Sequence, residues 1–383
     1  MSNSNSIFQI LIVVFDDMIG LSRLPKTLKK SNCEVTLISP PDLLVTKSKY
    51  ISSRIVTPKD ITKTVETLKE HLNENSQKYD FVIVGDESLL GEFTKLRNED
   101  WLRKVIPVPD IEKLEIVNSK FRFIEEAQKI NLMIPFAHLC KSLKEVKEYA
   151  TKIGFPLVIK EEVSTCGQGV RIVKSEEELE KFYYQLKART DILIQEFVDG
   201  RVGTTEVFFN KGVPICWFSS FSLVCLPSVT GMSCMREIGD FPEIENLLKG
   251  VGKLTGFSGF GGIDWILDSK DTYLKLIEFN PRPTPAYHFG EIAEVNFSKA
   301  LRQTLEKQET QIQRPYLPPR TKDRFLYLFP QDVHRILNDR KIIKLFRWIP
   351  FKKTSKDLPL DDLGLLITHL WRILKLGYNI LKK

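Results

Sequence analysis

An α/β layer of parallel strands, an α+β unit behind it and a basic helical extension make up the architecture that this 383-residue sequence predicts. Three observations carry that expectation. Residues 7 to 115 alternate apolar strand-like runs with helical stretches, the pattern of an open parallel sheet. Further on, Gly261 to Leu267 and Tyr273 to Phe279 read as two strands joined by an Asp268-Ser269-Lys270-Asp271 hairpin turn. From residue 359, apolar positions recur among lysines and arginines as in an amphipathic helix.

The length suits two or three domains, and 42% hydrophobic content supports a packed core. Expected boundaries give a first domain over 1–112, a second over 113–312 with its lid at about 150–200, and a basic extension over 313–383. The first apolar run, Ile7 to Phe15, is too short for a signal peptide or a membrane span and stops at Asp16-Asp17, so it is read as a strand. Cys33, Cys140, Cys166, Cys216, Cys225 and Cys234 form no Cys-x-x-Cys pair and are read as reduced core thiols, with a cytoplasmic location expected. The equal spacing of Cys216, Cys225 and Cys234 suits no common metal site.

The net charge of +7 argues against a nucleic-acid binder once its distribution is examined. Between Asp339 and Lys383 eleven Lys and Arg residues face four Asp, an excess that accounts for the whole net charge. The nearly neutral body offers no basic stripe interleaved with aromatics.

Along the first domain, Ile7 to Phe15, Val35 to Ile38 and Phe81 to Val84 are the expected strands, with helices over Leu21 to Ser31 and Ile61 to Asn73. No Gly-x-Gly-x-x-Gly follows the first strand, since Phe15 to Gly20 holds a single glycine, so no dinucleotide is assigned. Asp86 ends a strand where ligands often bind, and a turn or helix cap accounts for it at least as well. A connector with Pro107 and Pro109 leads to a helix over Lys120 to Ile130.

In the second domain, Phe155 to Lys160 is a strand that ends in lysine, followed by Ser164-Thr165-Cys166-Gly167-Gln168-Gly169-Val170. Two glycines let such a loop turn backbone N–H groups toward an anion while the lysine adds positive charge, which makes a phosphate cradle. The glycines alone would suit a plain hairpin turn. A P-loop is excluded, because no Gly-Lys-Ser or Gly-Lys-Thr is present and the loop joins strands. Ile192 to Glu196 is an apolar strand whose free backbone groups, continuing through Phe197 and Val198, could pair with an adenine edge. Finally Asp264 and the run Glu278-Phe279-Asn280-Pro281-Arg282 place two carboxylates, an amide oxygen and a guanidinium on neighbouring strands, as a magnesium-bearing triphosphate requires.

Read in order, Lys120, Lys160 with its Gly-rich loop, Gln195-Glu196-Phe197-Val198, Asp264 and Glu278-Phe279-Asn280-Pro281-Arg282 resemble the ATP-grasp superfamily. The likeness is to its carbamoyl-phosphate-synthase and biotin-carboxylase side and covers roughly residues 110 to 300. It implies a Rossmann-like (pre-ATP-grasp) layer followed by a two-subdomain ATP-grasp fold, with the helical extension outside the match. It further implies that ATP lies between the subdomains under the Gly-rich loop, with Ser164, Gly167, Gln168 and Gly169 around the phosphates. Lys120 and Lys160 would contact the phosphates, and Gln195, Glu196, Phe197 and Val198 would hold adenine. Asp264, Glu278 and Asn280 would bind Mg²⁺ or Mn²⁺, and Arg282 would neutralise the transferred phosphoryl and the resulting acyl-phosphate.

This chain departs from the family pattern in two places. A ribose-binding glutamate is usual shortly after Gly200, but here Arg201-Val202-Gly203-Thr204-Thr205 intervenes before Glu206. The segment Val229-Thr230-Gly231-Met232-Ser233 resembles a substrate-side loop of carbamoyl phosphate synthases, with Met232 where an acid is usual, which counts against bicarbonate. Arg236 is a candidate for carboxylate or γ-phosphate binding, with a surface salt bridge as its alternative. Of the five histidines only His288, just past the Asn-Pro-Arg run, is a candidate to touch substrate, and an ordinary loop or core histidine is the better-supported alternative.

The resemblance implies an ADP-forming ligase that phosphorylates a carboxylate and couples it to an amine of an amino acid or small metabolite, self-contained, with a homodimer as a candidate assembly. The alternatives are a bicarbonate-activating carboxylase and a non-catalytic nucleotide-binding scaffold. For residues 359 to 383, two readings stand: docking on the ATP-grasp body or a second subunit, or a membrane-surface helix held by Trp371, Tyr378 and the terminal lysines.

Overall fold

The computed structural model describes residues 6–75, 78–162, 169–186, 191–228, 230–309, 311–317, 324–348 and 357–381. Its first sheet is parallel. Strands β1 (Phe8–Val13), β2 (Cys33–Ser39), β3 (Ser53–Val56) and β4 (Phe81–Val84) lie in the order β3-β2-β1-β4. Ile10, Leu11, Ile12 and Val13 are wholly buried, as a central strand covered on both faces must be. Sequence reading missed β3, because Ser53-Arg54-Ile55-Val56 is largely exposed at the sheet edge, where a charged residue blunts further pairing. The helices Ile61–Glu74 and Glu87–Lys95 start at Asp60 and Asp86, whose carboxylates accept backbone N–H bonds of the first turn. Asp86 is thus a cap: it also takes N–H bonds from Phe15 and Asp16, and its burial pushes its pKa up to about 6.

The second sheet, also four-stranded, is antiparallel. β5 (Ala137–Cys140), β6 (Leu157–Glu161), β7 (Val170–Val173) and β8 (Ile192–Glu196) run in the order β5-β8-β6-β7. Leu157, Ile159, Ile192 and Ile194 pack with Val146 and Leu179 of the helices Leu143–Ile153 and Glu176–Leu186. Strand alternation therefore turns Lys160, Leu193 and Gln195 to the other face.

The third sheet forms the main body. It comprises β9 (Gly200–Asn210), β10 (Val213–Leu226), β11 (Met232–Gly239), β12 (Gly259–Asp268), β13 (Leu274–Asn280) and β14 (Phe325–Tyr327), in the order β13-β12-β9-β10-β11-β14. One face packs on the helix Ile244–Thr255 through an aromatic cluster in which Trp265 meets Phe221 and Phe241 edge-on. Gly203 is required there, since a Cβ would stand 2.3 Å from the Trp265 ring. Gly256, at φ 63°, ends that helix in the left-handed conformation. Residues from 313 onward, expected as an extension, supply β14 as an edge strand of this body sheet.

The tail helix spans Leu363–Leu381 and docks on the first layer as well as on the helix Gln331–Asn338. A Cβ on Gly364 would lie 2.6 Å from the Lys47 carbonyl, so the approach is close. Asp362 accepts from the Ser48 hydroxyl at 2.6 Å, and Arg372 pairs with Asp17 at 2.5 Å. Just before the helix, buried Asp357 pairs with Arg23 at 3.2 Å and His288 at 2.8 Å, and accepts the Phe329 N–H at 2.8 Å. Burial opposes its ionisation, but Arg23 and His288 outweigh that and hold its pKa below the usual carboxylate range. Asp357→Ala leaves Arg23 without its buried ion-pair partner and His288 without its hydrogen-bond acceptor, and should cost about 3 kcal/mol; an unchanged urea-denaturation midpoint would count against this anchoring role.

Candidate active site

Strand register assembles the acidic cluster. Asp264 of β12 lies directly opposite Glu278 of β13 and opposite Thr204 of β9, while Gly262 faces Asn280 and Glu206. All these side chains share the face turned away from the aromatic core, because positions two apart on a strand point the same way. Asn280 Nδ2 donates to Asp264 Oδ2 at 3.2 Å, and Arg282 Nη2 donates to Asn280 Oδ1 at 3.3 Å. Adjacent strand positions point opposite ways, so Asp264 faces the cleft while the Trp265 indole packs into the core with its N–H on Thr205; the bulge lies in β13, where the extra residue Ile277 lets Leu276 join that core while Glu278 faces the cleft.

The lysines arrive from the opposite side. Lys160, on the open face of the lid sheet, is buried. Lys120 opens the helix Lys120–Lys129, capped by Ser119, and its Nζ lies 3.9 Å from Glu278 Oε1. Removal from water lowers the Lys160 pKa from 10.5 to about 8, a fall that the Glu278 and Asp264 charges partly offset and Lys120 deepens. Burial raises the pKa of both acids: Thr204, Arg236 and Asn280 counter it at Asp264, while Lys120 and Lys160 counter it at Glu278, where Asp264 adds repulsion. Both acids therefore favour a cation beside them.

Among the described residues no group of three or more His, Cys, Asp or Glu side chains could hold a metal ion. Two facing carboxylates and an amide oxygen remain, a hard-oxygen set of the kind with which Mg²⁺ keeps places for phosphate and water. The residues present fit that ion.

Other sequence candidates fall in varied places. Ser164, Gly167 and Gln168 lie outside the described residues, while Gly169 accepts the Glu161 N–H at 2.9 Å and leads into β7. Gln195, not Glu196, points with Lys160 from the open lid face, and its Nε2 is buried with no hydrogen-bond partner among the described residues. Glu196 is exposed, accepting the Phe136 N–H at 3.4 Å, and Phe197 and Val198 continue from the strand end. Glu206 is wholly buried and takes a 2.7 Å bond from Arg236 Nη1, so Arg236 is not in a surface salt bridge, and Glu206 sits beside the acidic cluster. His288 is engaged by Asp357 of the tail. Val229 is outside the described residues, and Gly231 sits in the tight β10–β11 turn.

Two partners were not legible beforehand. Glu87, from the first layer, pairs with Arg282 Nε at 2.5 Å, and nothing in its own segment distinguishes it from an ordinary helix start. Glu162 takes the Ser119 hydroxyl at 2.5 Å and the Phe121 N–H at 3.2 Å, fixing the helix that carries Lys120. Its position two residues after Lys160 was the available signal.

The family model described as the ATP-grasp domain matches residues 95–286, half of the chain. The chain belongs to the ATP-grasp family. This ATP-grasp protein is 25% identical over 279 residues to the carbamoyl phosphate synthase large chain of Pyrococcus furiosus, a match covering 67% of the chain and 25% of the synthase. The chain thus spans about a quarter of that relative's length. Among solved structures, the biotin carboxylase domain of the Hydrogenobacter thermophilus 2-oxoglutarate carboxylase, with MgADP and bicarbonate, superposes with a TM-score of 0.62. That match has 16% identity and covers 80% of this chain and 71% of the other. The L-amino acid ligase of Bacillus licheniformis gives a TM-score of 0.60 at 17% identity, covering 80% and 77%. At these identities the likenesses speak for the fold.

A phosphate held by Lys160 would bind its charged form and raise its pKa in the complex, so under that assignment nucleotide affinity should fall as pH rises through about 8, by up to about tenfold per unit. Titration calorimetry with ADP from neutral to alkaline pH measures this. Lys160→Arg, which keeps its charge, should flatten the profile; a wild-type affinity indifferent to pH would contradict the assignment.

Proposed function

We propose that this ATP-grasp protein is an ADP-forming ligase that phosphorylates a small-molecule carboxylate and joins it to an amine. The observation that carries the reading is the confrontation of Asp264 and Glu278 with Lys160 and Lys120 across the cleft, with Arg282 beside Asn280. This set handles the charge of a transferring phosphoryl group and contains no nucleophile-and-base pair.

In this reading Lys160 and Lys120 hold the ATP phosphates, and the unpartnered Gln195 Nε2 with the backbone from Glu196 to Val198 meets the adenine end. Asp264, Glu278 and Asn280 would hold Mg²⁺, which supplies charge neutralisation across the phosphates. The substrate carboxylate oxygen attacks the γ-phosphorus and ADP leaves. The amine then attacks the acyl carbon; the C–N bond forms, the C–O bond to phosphate breaks, and the amine proton passes to the departing phosphate or to water. Arg282 neutralises the acyl-phosphate, so an anionic substrate group competes there with Glu87. The buried Glu206–Arg236 pair lies next to Asp264, whose ionisation the Arg236 charge favours.

Activation of bicarbonate is a second reading, favoured by the likeness to a biotin carboxylase solved with that anion. Met232, the first residue of β11, counts against it. ADP release measured with pools of carboxylates and amines, with and without bicarbonate, separates the two. Dependence on one carboxylate and one amine supports the ligase, whereas dependence on bicarbonate overturns it. Nucleotide binding without turnover in any pool would favour a scaffold.

Glu278→Gln should lower turnover about a hundredfold or more while changing ADP affinity far less, because the adenine strand is untouched. Near-normal turnover in this variant would place the metal elsewhere.

A further inference from the structure

The tail helix Leu363–Leu381 has two apolar faces, and the fold uses one of them. Leu365 and His369 are buried, and Leu366 and Ile373 pack on Phe329, Val333, Ile336 and Trp348. On the other side Leu363, Ile367, Leu370, Trp371 and Leu374 are each between 45% and 72% exposed. At about 100° per residue these five fall within an arc of roughly 100°, and no charged residue interrupts it. Exposed Tyr378 continues the arc. Isolated exposed apolar residues are ordinary, but a continuous row of this length marks a surface meant to be covered.

Charge decides what covers it. Lys375 flanks the row with its ammonium 5.3 Å from the Trp371 ring centre, and Lys341 and Lys344 are exposed on the segment before Trp348, which shares the helix's inner cluster. The sequence adds Lys352, Lys353, Lys356, Lys382 and Lys383 to the same tail. Two copies meeting through this face would bring two strongly basic tails together, whereas an anionic surface would be attracted by both. Trp371 suits the boundary between water and acyl chains. The helix is pinned along its inner side by Asp362 on Ser48 and Arg372 on Asp17. Among the described residues no helix is long and apolar enough to cross a membrane, so this one would lie in the interface plane.

We propose that the outward face of Leu363–Leu381 is a docking surface for a membrane bearing anionic lipid. The test is sedimentation of the full-length protein with vesicles of phosphatidylcholine, with and without phosphatidylserine. The wild type should pellet with the anionic vesicles, stay in solution with the neutral ones and be released by salt. Replacing Ile367 and Leu374, both exposed, by Asp (I367D with L374D) should weaken binding at least about tenfold, while the thermal midpoint and ADP affinity stay unchanged. Lys375→Glu should weaken binding to the anionic vesicles severalfold. The proposal is overturned if the wild type does not bind, binds neutral vesicles equally, or binds undiminished in the double variant. It is also overturned if sedimentation velocity finds a dimer that the double variant dissociates, which would assign the face to a second copy.

Discussion

Two carboxylates held side by side on a sheet constrain everything built around them. Asp264 and Glu278 are register partners, so no rotamer takes them far apart, and their mutual repulsion adds to the cost of leaving water. Cations must answer them. Lys120 and Lys160 do so from two other elements, and Arg236 does so from β11, with β9 and β10 between it and the Asp264 strand. The site is therefore a charge balance completed only when the lid, the body and the helix Lys120–Lys129 stand together.

The opposite face of the same sheet supplies rigidity. Trp265, next to Asp264 on β12, is wedged against Phe221 and Phe241 and donates its indole N–H to buried Thr205. Each edge-on aromatic pair contributes about 1 kcal/mol beyond simple burial. The strand position that carries the acid is thus fixed by the residue that follows it. Gly203 takes part by being small, since any side chain there would displace the indole.

How much of this could be read from the sequence follows from the range of each interaction. Apolar runs bounded by turn signals revealed β1, β2, β4, β6, β8 and the β12–β13 hairpin, and the spacing from Asp264 to Glu278 placed both acids at one point. The exposed edge β3 and the late strand β14 carry no such pattern, because edge pairing needs only backbone groups. Which side chain faced the cleft was a matter of parity: register turns Gln195, and not Glu196, toward Lys160. Arg236 and Glu206 appeared in the sequence as unrelated residues thirty positions apart, and only the sheet brings them into one buried pair. Glu87 on Arg282 was invisible for the same reason, being a contact across 195 positions.

Asp357 ties together segments made at very different times. Its partners are Arg23, 334 positions earlier, and His288 and Phe329, 69 and 28 positions earlier. A chain synthesised from its N-terminus can form the parallel layer early, but the cationic pocket around Arg23 stays open until the tail has been made. Contacts of such sequence separation form late and slowly, since the intervening loop must be closed first. That layer thus waits for a segment made 334 positions later, and the interval between them is when the nascent chain depends most on protection from aggregation.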